Sequence, residues 1–303
     1  MKQIYILCAA VLWGLIGLFT QFLSIKGIDS GSMVFIRAIG AAIFLSLYFL
    51  IFNRKVFRIR LRDIPFFIGT GIVSFVFFNY CYFQCIKMCS LSVAAILLYT
   101  APVFVTILSF ILFREKFSAK KGIALIFTLA GCVFVSGILG NHAAVKMAGI
   151  LFGILSGFFY GLYSILGRYV LQRYSSETVT LYTFIFAAAG AGMIGNPNVV
   201  LQIPLHIDLS LLCLGLVIVS TAAPFLLYTK GLSGVPSGVA SILATLEPVV
   251  ATLIGIFFFH ETFTWLHFLG ICFILAADIL LIFPVHAKDT EWHSQNVKNS
   301  FTL

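Results

Sequence analysis

Two ionisable side chains sit inside long apolar stretches, and any chemistry in this chain would concentrate there. Arg37 belongs to the stretch 32–52 and Glu247 to the stretch 235–259. In hydrocarbon neither charge is solvated, so each must be neutralised, paired or set against a wet cavity. Counted at 1.5 Å per helical residue, Arg37 lies roughly 8 Å and Glu247 roughly 18 Å below the same face. A gap of about 10 Å along the normal permits an ion pair only if helices tilt or Arg37 reaches inward. The alternative for Arg37 is to snorkel to the surface, which Glu247 is too deep to do. A guanidinium here suits bidentate anchoring of a carboxylate, and a carboxyl that exchanges a proton suits coupling. The structural alternative for Glu247 is a hydrogen bond to neighbouring helix backbone beside Pro248, which has no N–H of its own.

Trp13, Asn79, Tyr82, Tyr99, Tyr160 and Tyr163 fall at similar depth. Their rings and hydrogen-bonding tips would complete a site for a small amphipathic solute. Packed or interfacial aromatics compete with that reading, since the chain carries 33 Phe. Pro102, Pro224 and Pro248 stand mid-stretch, where each removes a backbone donor and frees the carbonyl of Leu98, Ser220 or Ala244. Prolines at matching places read as moving parts, against the plain fact that membrane helices tolerate proline. Glycines such as Gly69, Gly71, Gly153, Gly157 and Gly161 read as close helix packing.

Other chemistries find little support. Cys81, Cys85 and Cys89 share a helical face, but seven cysteines scattered through apolar stretches behave as small hydrophobes. His260-Glu261 with His267 lacks the one-turn histidine spacing of a zinc protease. No glycine-rich phosphate loop follows a strand. No metal, cofactor or ATP drive is therefore expected.

The elements that position these residues follow from composition. With 61% hydrophobic and 10% charged residues and a mean hydropathy of +1.10, the chain has too little polar surface for a soluble globule of 303 residues. Continuous apolar runs exclude a barrel and predict ten membrane helices near 4–24, 32–52, 64–86, 90–113, 121–139, 147–168, 177–196, 209–231, 235–259 and 264–283. The fold class is an all-α polytopic membrane protein. The first stretch is read as a retained helix and not a leader, from its length and Trp13. Residues 284–303 form a polar tail.

Basic residues set the expected orientation. Fifteen of the 19 Lys and Arg fall on one side: Lys2; Arg54, Lys55, Arg58, Arg60 and Arg62; Arg114, Lys116, Lys120 and Lys121; Arg168 and Arg173; Lys230; Lys288 and Lys298. The other side keeps Lys26, Lys87 and Lys146. This asymmetry predicts a cell-membrane protein with both termini cytoplasmic. It also accounts for the net charge of +9 through cytoplasmic loops beside anionic lipid, with no nucleic-acid partner.

Sliding the chain on itself by about 146 positions pairs Val93 with Val239, Ala94 with Ala240, Ile96 with Ile242, Leu97 with Leu243 and Pro102 with Pro248. Val103, Thr106, Phe113, Glu115 and Phe117 then fall on Val249, Thr252, Phe259, Glu261 and Phe263. Trp13-Gly14-Leu15 aligns with Tyr160-Gly161-Leu162 at almost the same offset. The chain is a duplication of a unit covering 4–139 and 147–283. Five helices per unit return the chain to the opposite face, so the second unit is expected upside down. Accordingly the loop Arg114-Glu115-Lys116 is basic and its match, His260-Glu261-Thr262, has no Lys or Arg. Inverted repeats with a midplane site are the architecture of secondary transporters.

Leu12-Trp13-Gly14, Arg37, Gln84-Cys85-Ile86-Lys87 before Ser92-Val93-Ala94-Ala95, and Leu246-Glu247-Pro248 followed by Glu261 and Gly270 together resemble the drug/metabolite transporter superfamily, specifically its ten-helix EamA-type exporters. The resemblance covers residues 4 to 283. It implies an efflux carrier for amino acids, other small metabolites or toxic compounds, working by alternating access. The implied partners are a small-molecule solute and the lipid bilayer, with the proton as candidate coupling ion and the chain acting as monomer or homodimer. Asp278 departs from the family, which usually has a small residue there. The runner-up is a nucleotide-sugar or phosphate-ester exchanger of the same superfamily, which would want several cavity-facing cations where Arg37 is the one available. A membrane-embedded enzyme would want clustered Asp, His or Glu near one face.

Overall fold

The computed structural model describes residues 2–136, 138, 146–196, 198 and 206–282; the polar tail expected at 284–303 lies outside them. Helices run Lys2–Ile25 (α1), Ser30–Phe52 (α2), Leu61–Met88 (α3), Leu91–Phe113 (α4), Ala119–Val135 (α5), Met147–Val170 (α6), Ser176–Ala191 (α7), Ile207–Leu232 (α8), Ser237–Phe259 (α9) and Trp265–Ile282 (α10). Eight of these are long and apolar enough to cross a bilayer. The exceptions, α5 and α7, are helices of 17 and 16 residues. Among the described residues there is no strand.

Local chemistry sets the helix starts. Asp29 accepts the Ser32 N–H at 3.0 Å, Ser90 that of Val93 at 3.2 Å, Ser118 that of Lys121 at 3.2 Å and Ser175 that of Thr178 at 3.3 Å. Each satisfies a donor that the first helical turn leaves orphaned. Near the basic loops, the carboxylate of Asp63, in the first turn of α3, is held by Arg173 Nη1 at 3.0 Å and the Tyr174 hydroxyl at 2.6 Å. That contact fixes α3 against the end of α6.

The duplication is visible in the backbone. Helix α4 is interrupted at Tyr99–Thr100 and restarts at Ala101, while α9 passes through a tight 3₁₀ turn at Ala244–Leu246 and restarts at Glu247. Pro102 and Pro248 each stand at the second position of the restarted segment, where a missing N–H costs nothing. Both helices end on a left-handed residue, Arg114 at φ 52° and His260 at φ 53°. In both, the next N–H closes back six residues: Glu115 to the Ser109 carbonyl at 3.2 Å and Glu261 to that of Gly255 at 3.1 Å. Wide π-helical turns occupy Gly69–Val76 in α3 and Ile218–Ala222 in α8, overlapping at the same offset. Pro224 follows the second of these, so the π turn absorbs the lost donor and Pro224 does not kink an otherwise regular helix.

The two halves cross closely at their breaks. A Cβ on Gly14 would lie 2.9 Å from the Glu247 carbonyl oxygen, and one on Gly161 would lie 3.4 Å from the Ala101 carbonyl oxygen. Absent side chains thus let α1 pass against the break in α9, and α6 against the break in α4.

Candidate functional site

A small central cavity, about 20 Å³ in this conformation, lies where these breaks meet. Six helices line it, three from each half. Helix α1 gives Trp13; α3 gives Ser74, Phe75 and Phe78; α4 gives Tyr99, Pro102 and Val105. Helix α6 gives Tyr160, Tyr163 and Ser164; α8 gives Phe225 and Tyr228; α9 gives Ser241, Ala244 and Thr245. Eight of the wall residues are aromatic. Trp13 stands edge-on to Phe225 at 5.2 Å and to Tyr160 at 6.4 Å between ring centres, and tilted against Tyr228 at 5.2 Å. Two hydroxyl pairs lock the far wall: Tyr163 with Thr229 at 2.6 Å and Tyr228 with Ser164 at 2.7 Å.

Arg37 points inward and is 8% exposed. Its Nε donates to Thr221 Oγ1 at 3.0 Å, and its guanidinium lies 5.5 Å from the centre of the Phe75 ring. Thr221 belongs to the π turn of α8, where its hydroxyl donates to the Leu216 carbonyl at 2.8 Å. The π turn therefore presents Thr221 to Arg37, and snorkelling is not the conformation found. Among the described residues the two terminal nitrogens of Arg37 make no protein hydrogen bond.

Glu247, at the restart of α9, is partly buried. It interacts electrostatically with Arg37 and with Tyr82, Tyr99 and Tyr160, without an ion pair to Arg37 inside 4.0 Å. The structure thus places a guanidinium, a carboxyl and several phenols within electrostatic reach of one another beside an aromatic cavity. Such a set can grip the two ends of a zwitterion while leaving its side chain against rings.

Of the residues singled out in the sequence, Trp13, Tyr99, Pro102, Tyr160 and Tyr163 line the cavity; Arg37, Tyr82 and Glu247 are not on its wall, Arg37 lying against the wall residue Phe75 and Tyr82 against Phe78. Asn79 stands apart: buried in α3, its Nδ2 donates at 2.7 Å to the Phe75 carbonyl one turn back. It satisfies its own helix instead of facing the cavity. Pro224 and Pro248 lie beside the lining residues Phe225 and Ala244–Thr245 rather than on the wall. Phe75, Phe78, Phe225 and Tyr228 were missed. The one available signal was the placement of Phe225 directly after Pro224 and of Tyr228 one turn further on, weak among so many aromatics. Asp278 is buried in α10 with both carboxyl oxygens unpartnered, outside the cavity. No group of His, Cys, Asp or Glu among the described residues is placed to hold a metal.

The chain belongs to the EamA-like transporter family, whose sequence profile matches residues 1–137 and again 147–283. It is 31% identical over 259 residues to a protein named as an uncharacterized transporter in Archaeoglobus fulgidus, covering 82% of this chain and 89% of that one. It is 24% identical over 208 residues to the threonine/homoserine exporter RhtA of Salmonella typhimurium, covering 66% and 65% of the two chains. A solved crystal structure 17% identical overlays with a TM-score of 0.76 over 92% of this chain and 95% of the other, a likeness that speaks for the fold alone.

Proposed function

We propose that this chain is a secondary exporter of small zwitterionic metabolites, amino acids or close relatives, working by alternating access through ten membrane helices arranged as two inverted five-helix repeats. The observation that carries this reading is an aromatic cavity built equally from both halves, with Arg37 against its wall residue Phe75 and Glu247 within electrostatic reach of Arg37 and of its wall residue Tyr160. The guanidinium would take the solute carboxylate and the carboxyl its ammonium. Similarity to a threonine/homoserine exporter supports the substrate class. Matched breaks, left-handed caps and π turns at one offset support the repeat, and the odd helix number per unit supports its inversion. Charge asymmetry supports cytoplasmic termini, and Glu247 is the candidate proton carrier. A phosphate-bearing solute finds no Lys or Arg on the cavity wall, Arg37 lying against the wall residue Phe75. The test is a screen in proteoliposomes loaded with labelled amino acids, with and without an imposed proton gradient. Release above protein-free vesicles for at least one amino acid is expected; no release across the set would overturn the substrate class.

A further inference from the structure

Glu115 and Glu261 occupy the same place in the two halves, immediately after the left-handed caps of α4 and α9. Their surroundings differ. Glu115 Oε1 accepts the Ser237 N–H at 2.8 Å, so the end of α4 is tied to the first turn of α9 in the other half. Lys121 Nζ lies 3.6 Å from Glu115 Oε2 and Arg168 Nε 3.7 Å from Oε1. Arg168 also donates through Nη1 to the Val235 carbonyl at 2.8 Å. Helices α4, α6 and α9 and the turn between α8 and α9 thus meet on one carboxylate. Four buried oxygens at this junction, on Thr106, Ser109, Ser237 and the second oxygen of Glu115, have no hydrogen-bond partner among the described residues.

The opposite ends are apart. The second half of α4 packs along the start of α9, whereas the first half of α4 makes no comparable contact with the second half of α9. Glu261 is exposed, and its carboxylate is folded back on its own helix: a Cβ on Gly255 would lie inside contact distance of Oε2. The position matching Gly255 in the first half is Ser109, which has the Cβ that this seat excludes. His267 stands where Lys121 stands in the first half, with Thr264 bonded to it as Ser118 is to Lys121. Ser90 satisfies the Val93 N–H, and the N–H of Leu91, the match of Ser237, is the one Glu261 would take.

We infer that Glu115 and Glu261 are alternating latches, each closing one face by accepting the N–H at the start of the opposite half's broken helix. The structure holds the basic-face latch shut and the other open. Arg168 has Phe22 as its counterpart, which packs on Phe259 at 6.0 Å as Arg168 lies over Phe113 at 5.8 Å. Lacking that cation, the Glu261 latch is the weaker, and the state closed on the basic face is the resting one. This inference rests on the alternating-access reading.

Distance measurements between spin labels in proteoliposomes, with native cysteines replaced and no solute added, test it. One pair joins Phe117→Cys with Ser233→Cys, the other Leu91→Cys with Phe258→Cys. Expected is a dominant population with the first pair short and the second long. Glu115→Ala, or Glu115→Gln should alanine not fold, raises the opposite population by about tenfold or more, the loss of a charge-assisted bond. Gly255→Ser shifts it the same way by unseating Glu261, and adding Glu261→Ala to Glu115→Gln reverses the shift. If the parent protein exchanges between two populations and Glu115 variants leave their ratio unchanged, the latch is wrong while alternation stands. A single population in the parent and in every variant sinks both.

Discussion

Replacing Arg37 with lysine keeps the charge and removes the fork. The guanidinium is positioned by the 3.0 Å bond from Nε to Thr221 and by the face of Phe75, a residue of the cavity wall, and among the described residues its terminal nitrogens make no protein hydrogen bond. Lysine has no second nitrogen to hold Thr221 while offering paired donors to a carboxylate. One charge-assisted hydrogen bond contributes about 1.5–3 kcal/mol, so the variant should lose about 10- to 100-fold in apparent affinity for the exported solute. The assay is concentration-dependent efflux from proteoliposomes containing equal amounts of each protein, with thermal stability measured in parallel. A weaker apparent affinity with little change in melting temperature is expected. Normal efflux by Arg37→Lys, or a collapse of stability that accounts for the loss, would refute the anchoring role.

Three further outcomes follow from the same geometry. Glu247→Gln should still bind and exchange solute but lose acceleration by a proton gradient; retained gradient-driven export would leave Glu247 a structural role only. Asp278→Ala should raise the melting temperature and spare transport, because two unpartnered buried oxygens cost about 1–3 kcal/mol; a lower melting temperature would show that the carboxyl has a partner the protein needs. Single cysteines at Arg58 and Lys120 should react with impermeant reagents from the cytoplasmic face alone, and one at Thr262 from outside alone; positions 120 and 262 on one face would end the inverted repeat.

Most of the helical layout was legible because apolar runs and charged loops report directly on hydrocarbon and headgroup. Prolines marked the breaks in α4 and α9, since a missing donor has a local consequence. The π turns had no such marker: no residue in Ile218–Ala222 dictates a wider turn, and the turn is what brings Thr221 to Arg37. Depth counted along straight helices left an ion pair between Arg37 and Glu247 open, but it could not show that Thr221 is what holds Arg37. Asn79 was misplaced because depth says nothing about helix face, and its amide is satisfied one turn back. The bond from Ser237 to Glu115 spans 122 residues and joins two halves that read alike, so repetition alone could show the pair of glutamates but not which one is engaged.

The central claim is alternation about one cavity, and trans-stimulated exchange measures it most directly. Proteoliposomes loaded with a labelled solute found by the screen should release it faster when unlabelled solute is supplied outside, with a rate that saturates. Release that is indifferent to outside solute and rises linearly with the internal concentration would contradict a carrier that opens to one face at a time.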